Sequence, residues 1–203
     1  MAKIKNTKTE LKAQMDALAR FRRFLPMLQL KKQQLQAEIA AITARIAEVD
    51  ARAEAAAAAM APWTALFADG ALPADAVRLR RMVTGHGNIA GVTIPVYQGV
   101  EMDRAEFDLF ETPSWFDDAQ EAIAGLLALR AESAVLGRQR ELVSHELRTT
   151  SQRVNLFEKV KIPDCKENIR KIRIFLNDEQ TAAVARGKIA KSRFAQDEGG
   201  GAA

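Results

Sequence analysis

Aromatic residues make up only 6% of this chain of 203 residues, while Ala, Leu, Glu, Gln, Lys and Arg dominate. That composition argues against an ordinary globule and for long helices. One cysteine, Cys165, excludes an internal disulfide and a thiol-rich metal site, and points to a reducing compartment. The two histidines, His86 and His145, fall on different elements with no cysteine near them, which argues against zinc. The opening MAKIKNTKTE lacks the apolar core of a secretory signal. The uncharged run Ala55 to Ala68 is too short to span a bilayer and is interrupted by Pro62. These absences lead to the expectation of a protein that is soluble or held at a membrane by a partner.

Charge is present and unevenly spread. Lys3, Lys5, Lys8 and Lys12 crowd the N-terminus, and Arg186, Lys188, Lys191 and Arg193 follow one another near the C-terminus with no acid between them. The stretch Glu101 to Glu121 holds Glu101, Asp103, Glu106, Asp108, Glu111, Asp117, Asp118 and Glu121 against the single base Arg104. Solvated helix faces are one reading of such runs and interaction surfaces another.

Apolar spacing supplies the architecture. Thr7-Lys8-Thr9-Glu10 fits a capping box and predicts a helix start. Leu28, Leu35, Ile39, Ile42, Ile46, Val49 and Ala53, with Lys32 completing the spacing, alternate by three and four as a coiled-coil seam does. Upstream, Leu11, Met15, Leu18 and Leu25, with Arg22, read the same way but join across an extra step of three containing Pro26, so a phase slip and bend are expected there. A second capping box, Ser114 with Asp117, opens a second pattern. Its seam is Leu126, Leu129, Leu136, Val143, Leu147, Val154 and Phe157, with Ser133, Arg140 and Thr150 at its polar positions. Beyond Pro163 the seam Cys165, Ile169, Ile172 and Leu176 is displaced by one residue, and a bend is expected there as well. Helices on the order of 75 to 115 Å long, at about 1.5 Å per residue, make a rod.

Between the helices, Pro62 and Asp69-Gly70-Ala71-Leu72-Pro73 break the first pattern. Val77–Val83 and Val92–Tyr97 read as strands of a hairpin module with two or three short strands, Pro95 lying at an edge or strand end. The expected fold is mainly α, a long antiparallel two-helix coiled coil with a small mid-chain β-hairpin module. Its segments are an N-terminal coiled-coil helix (1–61), the hairpin and loop module (62–113), a C-terminal coiled-coil helix (114–196) and a flexible tail (197–203).

Catalytic chemistry is hard to assemble from these residues. Gly85-His86-Gly87 followed by Gly91 lacks the Lys-Ser/Thr that opens a helix in a phosphate loop, so a plain turn is the better reading. Cys165 falls on the seam as a small core residue, and Asp117-Asp118 is explained by a helix N-terminus. Phe194 alone accompanies the C-terminal bases, which argues against nucleic acid.

Arg153-Val154-Asn155-Leu156-Phe157-Glu158, then Ile162-Pro163, then Ile169, Ile172, Leu176, Glu179, Lys188 and Lys191 resemble a pattern of the D subunit of the V/A-type rotary ATPases and ATP synthases. Thr7-Lys8-Thr9-Glu10-Leu11, Leu28 to Leu35, and Asn88 to Pro95 are similar to further segments of that family, in the same order. Arg23-Phe24-Leu25-Pro26 departs from the family's usual Arg-Gly pair and marks a divergent bacterial member. The resemblance implies a non-catalytic central-stalk protein, a rotor axle coupling ATP synthesis or hydrolysis in the catalytic head to ion (hydrogen ion) translocation. It implies as partners the catalytic-head A and B subunits, the small F subunit of the stalk and the C/d socket subunit, and a peripheral place on the cytoplasmic face of the membrane. It implies no cofactor, no nucleic acid and no direct membrane insertion. Under this reading Lys3, Lys5, Lys8, Arg186, Lys188, Lys191 and Arg193 gather at one tip and face the head. Arg153, Asn155, Glu158 and Pro163 form the signature at the bend, and Leu35, Ile39, Ile42, Ile46, Leu147, Val154, Ile169, Ile172 and Leu176 the seam. A prefoldin-like coiled-coil chaperone is the rival, since it too joins two coiled helices through hairpins.

Overall fold

The computed structural model describes residues 5–63, 65, 75–107 and 112–199; for residues 63 and 194–199 it describes the backbone alone. Lys3, the Asp69–Pro73 breaker, Asp108, Glu111 and tail residues 200–203 lie outside the described residues, as does the Phe194 side chain. The architecture is mainly helical: α1 (Lys8–Met60), a short 3-10 turn (Ala61–Trp63), β1 (Val77–Ile89), β2 (Val92–Arg104), α2 (Phe116–Leu156), a π-helical turn (Phe157–Lys161) and α3 (Ile162–Gly199). Two compact units, Lys31–Thr150 and Met1–Leu30 with Ser151–Ala203, cut across the helices.

Helix α1 starts where Thr7 predicts. The Glu10 N–H donates to Thr7 Oγ1 at 3.2 Å, but the Glu10 carboxylate accepts from Gln14 Nε2 at 2.8 Å, so only half of the capping box forms. The expected phase slip at Pro26 is absent. Leu11, Gln14, Leu18, Phe21, Leu25, Leu28, Lys32, Leu35, Ile39, Ile42, Ile46, Val49, Ala53, Ala56 and Met60 alternate by three and four throughout, and every one is at least half-buried. Met15 and Arg22, assigned to the seam from the sequence, are exposed, and Gln14 and Phe21 take their places. Placing Met15 and Arg22 on the seam in place of Gln14 and Phe21 created the offset that mimicked a slip. Pro26 is exposed inside an unbroken helix.

In the Lys31–Thr150 unit, α1 and α2 run antiparallel: Lys31 meets Glu146 at 2.7 Å, whereas Asp50, further along α1, accepts from Ser133 Oγ at 2.7 Å, further back on α2. Leu35, Ile42 and Val143 are buried together with Ile94 of β2, and Ile39, Ile46, Ile89, Ala90, Val92 and Leu147 pack around them. The hairpin lies alongside α2. At its base, Gln120 Nε2 donates to the Ala76 and Ala105 carbonyls at 2.9 and 3.0 Å, and near its tip Gln139 Nε2 donates to the Pro95 carbonyl at 2.6 Å. Gln120 to Gln139 is about 30 Å of helix at 1.5 Å per residue, commensurate with strands of this length.

The hairpin has two strands of 13 residues each. Its turn is Ala90-Gly91, both at positive φ (50° and 86°), the twist-matched hairpin geometry, and the Gly91 N–H donates to Asn88 Oδ1 at 2.9 Å. Gly85 and Gly87, read as turn residues, belong to β1. A Cβ on Gly87 would come within 2.8 Å of Val96 Cγ2, so glycine there permits close cross-strand packing. Pro95 pairs with His86 well inside β2; in a two-stranded sheet both strands are edges, so its missing N–H is tolerated. Helix α2 begins at Phe116, two residues after Ser114, entered through a turn that the Phe116 N–H closes on the Pro113 carbonyl.

In the other unit α1 and the C-terminal helical segment are again antiparallel. Phe21 stacks against Phe157 with centroids 5.0 Å apart, and Met15 meets Arg173, further along the chain. Val154, Cys165, Ile169 and Ile172 are buried here.

Candidate functional site

The displaced seam around Pro163 has a specific cause. The Ile162 N–H donates to the Phe157 carbonyl, five residues back, so residues 157–161 form one π turn with one residue more than an α turn. Buried or half-buried positions run Val154, Phe157, then Ile162, Cys165, Ile169, Ile172 and Leu176. The step of five between Phe157 and Ile162 replaces a step of four. The extra residue is absorbed on the outside, where Glu158, Lys159, Val160 and Lys161 are all exposed. Proline lacks an N–H and crowds the turn before it. At a wide turn, whose hydrogen bonds have already moved to i−5, both demands are relaxed.

Of the signature residues, Arg153, Asn155, Glu158 and Pro163 are all exposed and surround this turn. Among the seam residues, Leu35, Ile42, Val154, Ile169 and Ile172 are buried, and Ile39, Ile46, Leu147 and Leu176 half-buried. Arg140, assigned to the seam's polar positions, is exposed, and its neighbour Gln139 is buried under the hairpin. Burial raises the Cys165 thiol pKa, with Asp164 adding to the rise, which favours the protonated thiol.

Lys5, Lys8, Arg186, Lys188, Lys191 and Arg193 are exposed. Counting along each helix from the Met15–Arg173 and Phe21–Phe157 contacts, Lys188 lies about 12 to 27 Å beyond Lys8 along the coil at about 1.5 Å per residue. Helix α3 therefore overshoots the start of α1. Every residue from Asn177 to Arg193 is exposed, Val184 and Ile189 included.

Two acids of the acidic middle, Glu101 and Asp103, are matched within the hairpin. Arg81 donates to Glu101 at 2.6 Å, which raises the arginine pKa and lowers the glutamate's, and Arg80 lies 3.9 Å from Asp103. A cavity of about 520 Å³ beside Tyr97 is lined mainly by Ala, Gly and Leu, with Arg52 and Glu132 its charged members. The Tyr97 hydroxyl faces the Ala128 carbonyl at 3.4 Å, and burial, then Glu132, raises its pKa. Among the described residues no group of three or more His, Cys, Asp and Glu could hold a metal, and no helix is long and apolar enough to cross a membrane.

Sequence reasoning missed the second buried face of α2: Gln120, Ala124, Ala131, Val135 and Gln139, which carries the hairpin. The alanines were the available signal, because small side chains let a strand approach a helix closely.

The family model of the ATP synthase D subunit matches residues 10–192. The V-type ATP synthase D subunit of Borreliella burgdorferi is 44% identical over 95% of each chain, and that of Chlamydia felis 32% identical over 96% of this chain and 95% of its own. With helices, hairpin and signature residues in one order along nearly the whole length, the chain belongs to the ATP synthase D-subunit family, on the side of the bacterial V-type ATP synthases.

Proposed function

We propose that this chain is the central rotor stalk of a V-type ATP synthase, a non-catalytic axle that couples ATP synthesis or hydrolysis in the catalytic head to ion translocation in the membrane sector. The observation that carries this reading is the overshooting end of α3. A single helix of this length without packing is marginal in water, because helix stability in proteins comes mostly from a buried face. Among the described residues Asn177 to Arg193 has no such face, and in this reading a surrounding partner supplies it. A ring of catalytic A and B subunits enclosing that end is the fitting partner, with the small F subunit and the C/d socket subunit further along the stalk. The axle helices are then α1 and the helical run from Phe116 to Gly199, with the hairpin module between them. Residence on the cytoplasmic face of the membrane follows from the complex.

Lys3, Lys5 and Lys8 form one basic collar in this reading, and Arg186, Lys188, Lys191 and Arg193 a second, which meets the head first and steers insertion. In a reconstituted head fixed to a surface, a bead attached to this chain should rotate when ATP is added. A bead that stays still while the head hydrolyses ATP would refute the axle role.

A further inference from the structure

We propose that the side of the coil carrying Phe24, Met27, Leu156 and Val160 is a docking surface for an amphipathic helix of another protein of the complex, apolar on one side and flanked by Asp or Glu. Phe24 and Met27 each stand one residue before a seam residue of α1, Leu25 and Leu28. Leu156 stands one before Phe157, and Val160 lies one turn beyond it. In an antiparallel pair the dyad between the helices puts the preceding positions of both on the same side. The Lys31–Glu146 contact, between residues that precede Lys32 and Leu147, obeys this rule. The four side chains therefore line one side, and all are exposed, Met27 at 62% and Phe24 at 48%. The opposite side, one residue after each seam position, carries Arg22, Pro26, Gln29, Asn155 and Glu158. Burial within this chain does not account for such one-sidedness, and an exposed apolar cluster rimmed by polar groups marks an interaction site.

Charge selects the occupant. Arg20 and Arg153 hold the remaining large preceding positions on that side, with Arg23 and Lys159 along its border. No carboxylate precedes a seam residue from Ala17 to Leu30 or from Ser151 to Val160. Four cations around an apolar strip fit a helix that presents leucine-like residues at i, i+3 and i+4 and carboxylates beside them, and they oppose a basic one.

The experiment uses the assembled complex with Met27 replaced by photoreactive benzoyl-phenylalanine. Irradiation should join Met27's position to another protein of the complex, in a helix with that apolar spacing and flanking acids. Phe24→Ser with Val160→Ser should cut the yield at least tenfold while far-UV helicity and the melting temperature of the isolated chain are retained. Arg153→Gln should weaken the crosslink most at low salt. Adducts confined to this chain, to a second copy of it, to lipid or to a basic segment would overturn the proposal. The rotation assay reads the axle role separately.

Discussion

Deleting Lys159 and replacing Pro163 with alanine, singly and together, tests how the C-terminal helix carries its proline. Lys159 is exposed in the π turn, so its removal forfeits no buried area. It shortens the step from Phe157 to Ile162 from five to four and makes the seam from Leu126 to Leu176 regular, so an uninterrupted α-helix becomes geometrically possible. That helix would place Pro163 in an α-helical interior, at about 3 kcal/mol. Recovered α-helical hydrogen bonding returns about 1 kcal/mol. The single deletion should thus lose about 2 kcal/mol, which for a chain of this size is a fall of about 4 to 8 °C in Tm. Pro163→Ala alone, in a turn already adapted to proline, should change stability by less than about 1 kcal/mol. The double variant should equal or exceed the parent, a coupling of about 2 to 3 kcal/mol. Thermal melts followed by far-UV circular dichroism measure all four proteins. Additive effects, or a double variant clearly less stable than the parent, would refute the idea that turn and proline are matched.

Ile172→Asp should place a carboxylate in the dry seam and cost several kcal/mol, read as a lower Tm that recovers partly as pH falls and the acid takes up a proton. Gln120→Leu should strip the Ala76 and Ala105 carbonyls of their shared donor, costing about 1 to 3 kcal/mol and speeding amide exchange at the hairpin base before its tip. Lys188, Lys191 and Arg193 changed together to Gln should leave the coil folded and slow its association with the A and B subunits, most at low ionic strength; equal rates across a salt series would reduce the cluster to a solvated helix end. Cys165 should alkylate more slowly than a free thiol at mildly alkaline pH, because burial keeps it protonated, and denaturation should abolish the difference.

Everything periodic or local was legible in the order of the residues. Three-four spacing specified two long helices, the β-branched and glycine-flanked middle specified a hairpin, and the motif order specified the family. Even the one-residue offset across Pro163 could be read. Packing in three dimensions decided how each irregularity was resolved. The offset at Pro163 became a π turn, because a shared seam rewards keeping Cys165, Ile169 and Ile172 against α1. The apparent slip at Pro26 disappeared, because Phe21, packed on Phe157, and the half-buried Gln14, whose amide reaches Glu10, hold the seam positions assigned to Arg22 and Met15. The hairpin's place along α2 depended on a second face built from alanines and two glutamines. Such small or polar residues have weak hydrophobic periodicity, and they declare themselves only when a partner strand brings carbonyls within their reach.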